Sequence, residues 1–291
     1  MTKHTAALFL AISLVLSACN NQDAQSSQPE PIVAPTGEVQ QPEPIPSSTM
    51  EEDKEPSPEV NEKAEDQEAA PEAEVEVPLK YHMNSNYDIV PNDESSPKKV
   101  VLLTFDDGPK EETMINDLID TLEKHSAKAI FFVNGYRVKE NPDLLKLIHE
   151  REQIIGNHSW DHIELRKESE TKVKKQIEDV QKIVKDTVGE TPVFFRPPHG
   201  AGGDVGKKVA KENGLLYMTW SNGSLDWEMK SKDKNKTDQI MNNVMDQLHS
   251  GSNILMHELP WTVESLDALL TKLEAKGYSF VDPRSIELKM R

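Results

Sequence analysis

Between residues 98 and 282 the chain alternates two kinds of pattern. Short apolar or β-branched runs stand at 98–105, 128–134, 153–158, 193–196, 215–221, 252–258 and 278–282, the lengths expected of buried strands. Between them, segments near 113–125, 141–152, 168–189, 204–214, 236–249 and 262–277 carry apolar residues at helical spacing, with Asn141-Pro142 as a start signal and Gly277 as a stop. Seven strands alternating with six helices predict one α/β domain around a parallel sheet, either open or closed into a barrel. The lead-in at 81–97 has no pattern that places it, and no internal repeat is visible.

The polar residues that interrupt the apolar runs fall at one kind of position. Asp106 and Asp107 follow the first strand; His158, Asp161 and His162 the third; Arg196 and His199 the fourth; Asp226 and Trp227 the fifth; His257 ends the sixth. Parallel strands carry their carboxyl ends to one face, where α/β folds build their sites. Taken alone, Asp106-Asp107-Gly108-Pro109 reads as a turn. Its company on that face makes the two acids candidate pocket residues instead. In the stretch 157–162 two imidazoles stand at i and i+4, so a helical turn here would put both on one face, able to grip one ion. Such a pair also suits exposed surface. A carboxylate from the first strand strengthens the metal reading, because two His and one Asp leave coordination positions open, as catalytic zinc sites do. No Glu stands between the histidines as it does in the zinc-protease helix. Trp160, Trp227 and Trp261 are candidates for stacking on sugar rings as well as for the core, Trp227 foremost. His82, His125, His149 and His249 read as ordinary surface residues.

The chain before residue 81 is different material. After Lys3 and His4, Thr5 to Leu16 is mostly apolar but too short for a membrane span, as in a signal-peptide core. Leu16-Ser17-Ala18-Cys19 resembles a bacterial lipobox, which implies cleavage before Cys19 and lipid on its thiol; a plain secretory signal cut near Ala18 is the alternative. Cys19 is the single cysteine of the chain, so no disulfide framework competes for it. Residues 20–80 are rich in Pro, Glu and Gln without apolar periodicity, the composition of a disordered tether. The tether carries −13 and Lys3 +1 of the net −18, leaving −6 on residues 81–291, so nucleic-acid binding has no electrostatic support. The expectation is an extracytoplasmic monomer, anchored to the bacterial cell membrane through lipidated Cys19 and held off it by a tether that self-repulsion extends beyond the roughly 45 Å of a flexible chain of this length.

TFDDGP, HSWDH, RPPHG, LDW and LMH occur in the order of the five motifs of the NodB-like polysaccharide deacetylases, carbohydrate esterase family 4, and residues 98–282 resemble that family throughout. The resemblance implies a distorted (β/α) barrel, the NodB-homology domain over 98–291, and a hydrolase that removes acetyl groups from N-acetylated sugars of peptidoglycan, chitin or xylan. It implies one divalent ion, zinc first and cobalt, nickel or manganese otherwise, held by Asp107, His158 and His162. It further implies Asp106 as general base, Arg196 holding Asp106 by a charge pair, His257 as general acid paired with Asp226, and Leu255 against the acetyl methyl. One position departs from the pattern: many members have Tyr or Phe where this chain has His199, which keeps a main-chain N–H for the oxyanion but makes the groove wall polar. Peptidoglycan amino sugars are the expected substrate. A catalytically silent glycan-binding protein is the main rival; a non-haem iron oxygenase, which shares the two-His-one-carboxylate set, would need a reductant and cosubstrate site.

Overall fold

The computed structural model describes residues 77–291; the expected signal peptide, Cys19 and the expected tether up to residue 76 lie outside the described residues. The unplaced lead-in proves to be an antiparallel hairpin of β1 (Tyr81–Met83) and β2 (Ile89–Pro91). There follow β3 (Val100–Gly108), α1 (Glu112–Lys124), β4 (Ala129–Val133), α2 (Gly135–Glu140), α3 (Pro142–Glu150), β5 (Ile154–Asn157), α4 (Glu170–Val188), β6 (Phe194–Phe195), α5 (Gly203–Glu212), β7 (Leu216–Tyr217), β8 (Asn222–Gly223), α6 (Lys236–Gln247), β9 (Ser252–His257), α7 (Pro260–Ala275) and β10 (Ser279–Phe280). No described helix is long and apolar enough to cross a membrane.

Seven parallel strands form one sheet in the order β7-β6-β5-β4-β3-β9-β8, and β10 pairs in parallel with the start of β3. The expected strand over 215–221 is two strands, β7 and β8, at opposite edges of the sheet. This correction explains the curvature. A flat sheet of this order would be roughly 29 Å across, yet the five residue steps from Tyr217 to Asn222 reach at most about 17 Å. The sheet therefore curls until its edges nearly meet, and residues 218–221 cross the gap. Backbone bonds pin both ends of the crossing: Met218 N–H donates to the Phe195 carbonyl (2.9 Å) and Ser221 N–H to the Asn253 carbonyl (3.1 Å). The result is the distorted barrel that the sequence predicts, with one seam bridged by a chain crossing instead of a ladder.

Strand alternation sorts the side chains. Along β3, Val101, Leu103 and Phe105 face outward into the main core, where they meet Leu118 and Leu122 of α1 and Leu266, Leu269 and Leu273 of α7. Val100 and Leu102 face inward, with Phe132, Phe194, Leu216 and Met218, and Tyr81, Met83 and Ile89 of the hairpin pack onto this inner layer. Each large side chain so buried contributes about 1.5–3 kcal/mol. The inner row of β3 turns polar above this plug, at Thr104 and then Asp106. Helix ends follow ordinary signals: Ser169 caps α4 by accepting from Lys172 N–H (3.4 Å), and Gly189 closes it in the left-handed region. One histidine differs from expectation: His125 is not ordinary surface, its side chain being 7% exposed between Asp267 and Glu274 of α7, 2.9 Å from each.

Candidate active site

Two neighbouring residues of a regular strand point to opposite faces, so adjacent acids cannot normally share a pocket. The structure solves this with a bulge. In the pairing of β3 with β4, Asp106 stands opposite Phe132 and Gly108 opposite Val133, so Asp107 is the extra residue, in the left-handed region at φ 68°. Asp is among the few residues that tolerate this conformation. Both carboxylates thereby line a cleft of about 390 Å³ together with His158, His162, His199, Trp220, Trp227, Leu255 and His257.

Asp107, His158 and His162 each offer one ligand atom within 4.8 Å of the others. The expected helical turn is absent: residues 158–162 form a loop, and Ser159 (φ 64°) and His162 (φ 55°) lie in the left-handed region. The loop still brings the imidazoles together, because Asn134 Nδ2 donates to the His158 carbonyl (2.9 Å) and Gln176 Oε1 accepts from Asp161 N–H (2.8 Å). His158 Nδ1 bonds the Arg196 carbonyl at 2.7 Å, so Nδ1 carries the proton and the Nε2 lone pair faces Asp107. Asp107 Oδ1 lies 3.4 Å from His158 Nε2 and 3.0 Å from His162 Nε2, yet is buried without a hydrogen-bond partner. Lone pairs converging on an unpartnered carboxylate oxygen fit a divalent cation.

Asp106, 3% exposed, accepts from Arg196 Nη1 at 2.7 Å. Arg196 is fully buried. It also donates to Thr104 Oγ1 (2.7 Å), the Thr219 carbonyl (2.9 Å) and Asn253 Oδ1 (3.1 Å), and lies 4.4 Å above the Phe132 ring. On the next strand His257 stands in register with Asp106. Buried Asp226 holds His257 at two points: Oδ1 accepts from the ring Nδ1 (2.8 Å) and Oδ2 from the backbone N–H (2.7 Å), with Thr262 Oγ1 adding a third bond (2.7 Å). Burial lowers the His257 pKa, and the Asp226 hydrogen bond and charge more than reverse it, leaving the imidazole more basic than usual. His199, at φ 58°, sets its ring 4.6 Å from that of His162; burial and then His162 lower its pKa, so the ring is neutral at neutral pH.

Asp106, Asp107, His158, His162, Arg196, His199, Asp226, Trp227, Leu255 and His257 meet here as the sequence led us to expect, whereas Asp161 turns to Gln176 instead. Of the tryptophans, Trp227 lines the cleft, 38% exposed and 5.4 Å from the His257 ring. Trp160 packs over Gly135, and Trp261 donates its indole N–H to the Asp226 carbonyl (2.9 Å). Sequence reasoning missed Trp220, which lines the cleft from the crossing segment at 6.2 Å from Trp227, and Asn253, which fastens Arg196. Asn253 was within reach: it shares the inner row of β9 with Leu255 and His257 at two-residue spacing. Trp220 was not, because its position depends on the break between β7 and β8.

A family model described as polysaccharide deacetylase matches residues 93–218. A peptidoglycan-N-acetylglucosamine deacetylase of Listeria monocytogenes is 38% identical over 203 residues, 69% of this chain but only 42% of the relative's length. One of Bacillus cereus is 35% identical over 198 residues, 66% of this chain and 88% of the relative. Among solved structures, a carbohydrate esterase family 4 pseudoenzyme from Bacillus anthracis superposes with a TM-score of 0.61 at 29% identity, over 67% of each chain. With a relative matched over most of its length and five ordered motifs folded into one cleft, the chain belongs to the polysaccharide deacetylases of carbohydrate esterase family 4.

Proposed function

We propose that this chain is a divalent-metal-dependent hydrolase that removes N-acetyl groups from peptidoglycan amino sugars, working outside the cell from a lipid anchor at Cys19. One observation carries the chemistry: a base and an acid, each with its own supporting partner, face a single cleft together with three converging metal ligands. Asp107, His158 and His162 would hold the ion, zinc by preference, which would polarise the acetyl carbonyl and lower the pKa of the attacking water. Asp106 takes the proton from that water, and the Arg196 hydrogen bond aims it. The main-chain N–H of His199 faces the developing oxyanion. His257, with Nδ1 tied to Asp226, presents Nε2 and gives a proton to the departing amine. Leu255 contacts the acetyl methyl, and Trp227 with Trp220 forms an aromatic wall for the sugar ring.

A glycan-binding chain without turnover is the second reading, and the likeness to the B. anthracis pseudoenzyme is the observation behind it. The presence of both Asp106 and His257, each held by a charged side chain, favours catalysis. Acetate release from purified peptidoglycan and from chito-oligomers, before and after chelation and after zinc is restored, separates the two. Deacetylation that zinc restores is the expected outcome; binding of glycan with no acetate under any of these conditions establishes the silent protein.

A further inference from the structure

Glu258 follows the acid His257 and has no part in the chemistry above. Just past the end of β9, it is 1% exposed. Its Oε2 accepts from the Lys110 backbone N–H at 2.8 Å, and Lys110 Nζ reaches back to the Glu258 carbonyl at 3.4 Å. Its Oε1 has no hydrogen-bond partner and occupies the space a side chain at Gly108 would take: a Cβ there would stand 1.8 Å from it. A buried carboxyl is expensive to keep. One that exists only to fill space would be replaced without loss by an apolar side chain.

We propose that Glu258 is a positioning residue that fixes the catalytic carboxylates against the catalytic acid by clamping the Gly108–Lys110 turn to the end of β9. The bulge at Asp107 interrupts the β3 ladder where position matters most. On the β4 side the turn is held by Asn134 N–H donating to the Gly108 carbonyl (2.9 Å). On the β9 side the Glu258 carboxyl supplies the hold. Because the clamp springs from the residue after His257, one side chain sets the position of Asp106 and Asp107 relative to the proton donor. Gly108 is the counterpart: only a residue without Cβ lets the carboxyl come this close.

The inference rests on the deacetylase reading for its kinetic arm alone. Zinc titration by calorimetry on chelator-treated full chain, with kcat and KM on chito-oligomers, compares wild type with Glu258→Gln, which keeps an acceptor oxygen, and Glu258→Met, which keeps the volume and loses the acceptor. Glu258→Met should weaken zinc binding and lower kcat by about 10–100-fold, with KM unchanged, while Glu258→Gln retains both. Should Glu258→Met fail to fold, Glu258→Asp, too short to reach Lys110, makes the same comparison and should show the same losses. Wild-type zinc affinity and kcat in the Met or Asp variant would reduce Glu258 to packing and overturn the proposal; equal losses in Gln and Met would overturn it in favour of charge. A wild-type protein that binds zinc and releases no acetate sinks the deacetylase reading and leaves the zinc comparison standing.

Discussion

Asp106 and Asp107 differ by one position and by everything that surrounds them. Asp106 continues the inner row of β3 and meets a guanidinium; Asp107 is the bulged residue and meets two imidazoles. Asp107→Asn should therefore lose zinc affinity and acetate release together. Asp106→Asn should bind zinc and glycan while its rate falls by about 10²–10⁴-fold. Calorimetric titration beside acetate release checks both; loss of zinc in the Asp106 variant alone would reverse the roles. His257 offers a pH test of its own. Asp226 raises its pKa, so removing that charge must lower it. The acid acts protonated, and Asp226→Asn should shift the alkaline limb of the rate profile to lower pH as well as lowering its height. An alkaline limb that stays in place would show that His257 is not the proton donor.

At the scale of elements, the sequence shows most where one rule acts alone. Apolar runs bounded by helical patterns located β3, β4, β5 and β9 and the helices α1, α3, α4, α5, α6 and α7, though not the short α2, and parallel pairing alone put the polar strand ends on one face. It shows least where tertiary geometry overrides local pattern. The run 215–221 is apolar enough for one strand and is broken because barrel closure needs its two ends at opposite edges. The loop 157–162 holds its histidines by contacts from Asn134 and Gln176, far away in sequence, and not by helical spacing. The junction of β9 and α7 hides a third such feature, the buried Glu258. Burial pushes its pKa up to about 7 from the ordinary 4.5. The unfolded chain gives up this proton first, so stability falls as pH rises from about 4.5 to 7, by ~3 kcal/mol in total. Urea unfolding of wild type and Glu258→Gln at pH 5 and pH 8 should show a larger loss for wild type on going to pH 8. Parallel losses would mean that Glu258 ionises as freely in the fold as in the unfolded chain.

For the whole molecule, charge and burial divide the labour between two parts of the chain. Among the described residues, every member of the three core clusters falls between Tyr81 and Met290, and the lining of the cleft begins at Asp106. Residues 19–80 hold most of the net charge, −13 of −18, and the single cysteine. Composition of this kind cannot supply a core, so we propose that it serves to place the enzyme in the envelope. Two variants test this division. Cys19→Ala should move the protein from the membrane fraction to the medium with kcat on soluble chito-oligomers unchanged, since the acyl chains and not the domain hold it there. Deleting residues 20–76 while keeping the lipobox should leave that kcat and cooperative unfolding intact but lower deacetylation of intact walls, because the domain then sits nearer the membrane than its polymer. A deletion that destroys cooperative unfolding would show that the tether packs on the domain, and equal wall activity with and without it would leave the segment no positioning role.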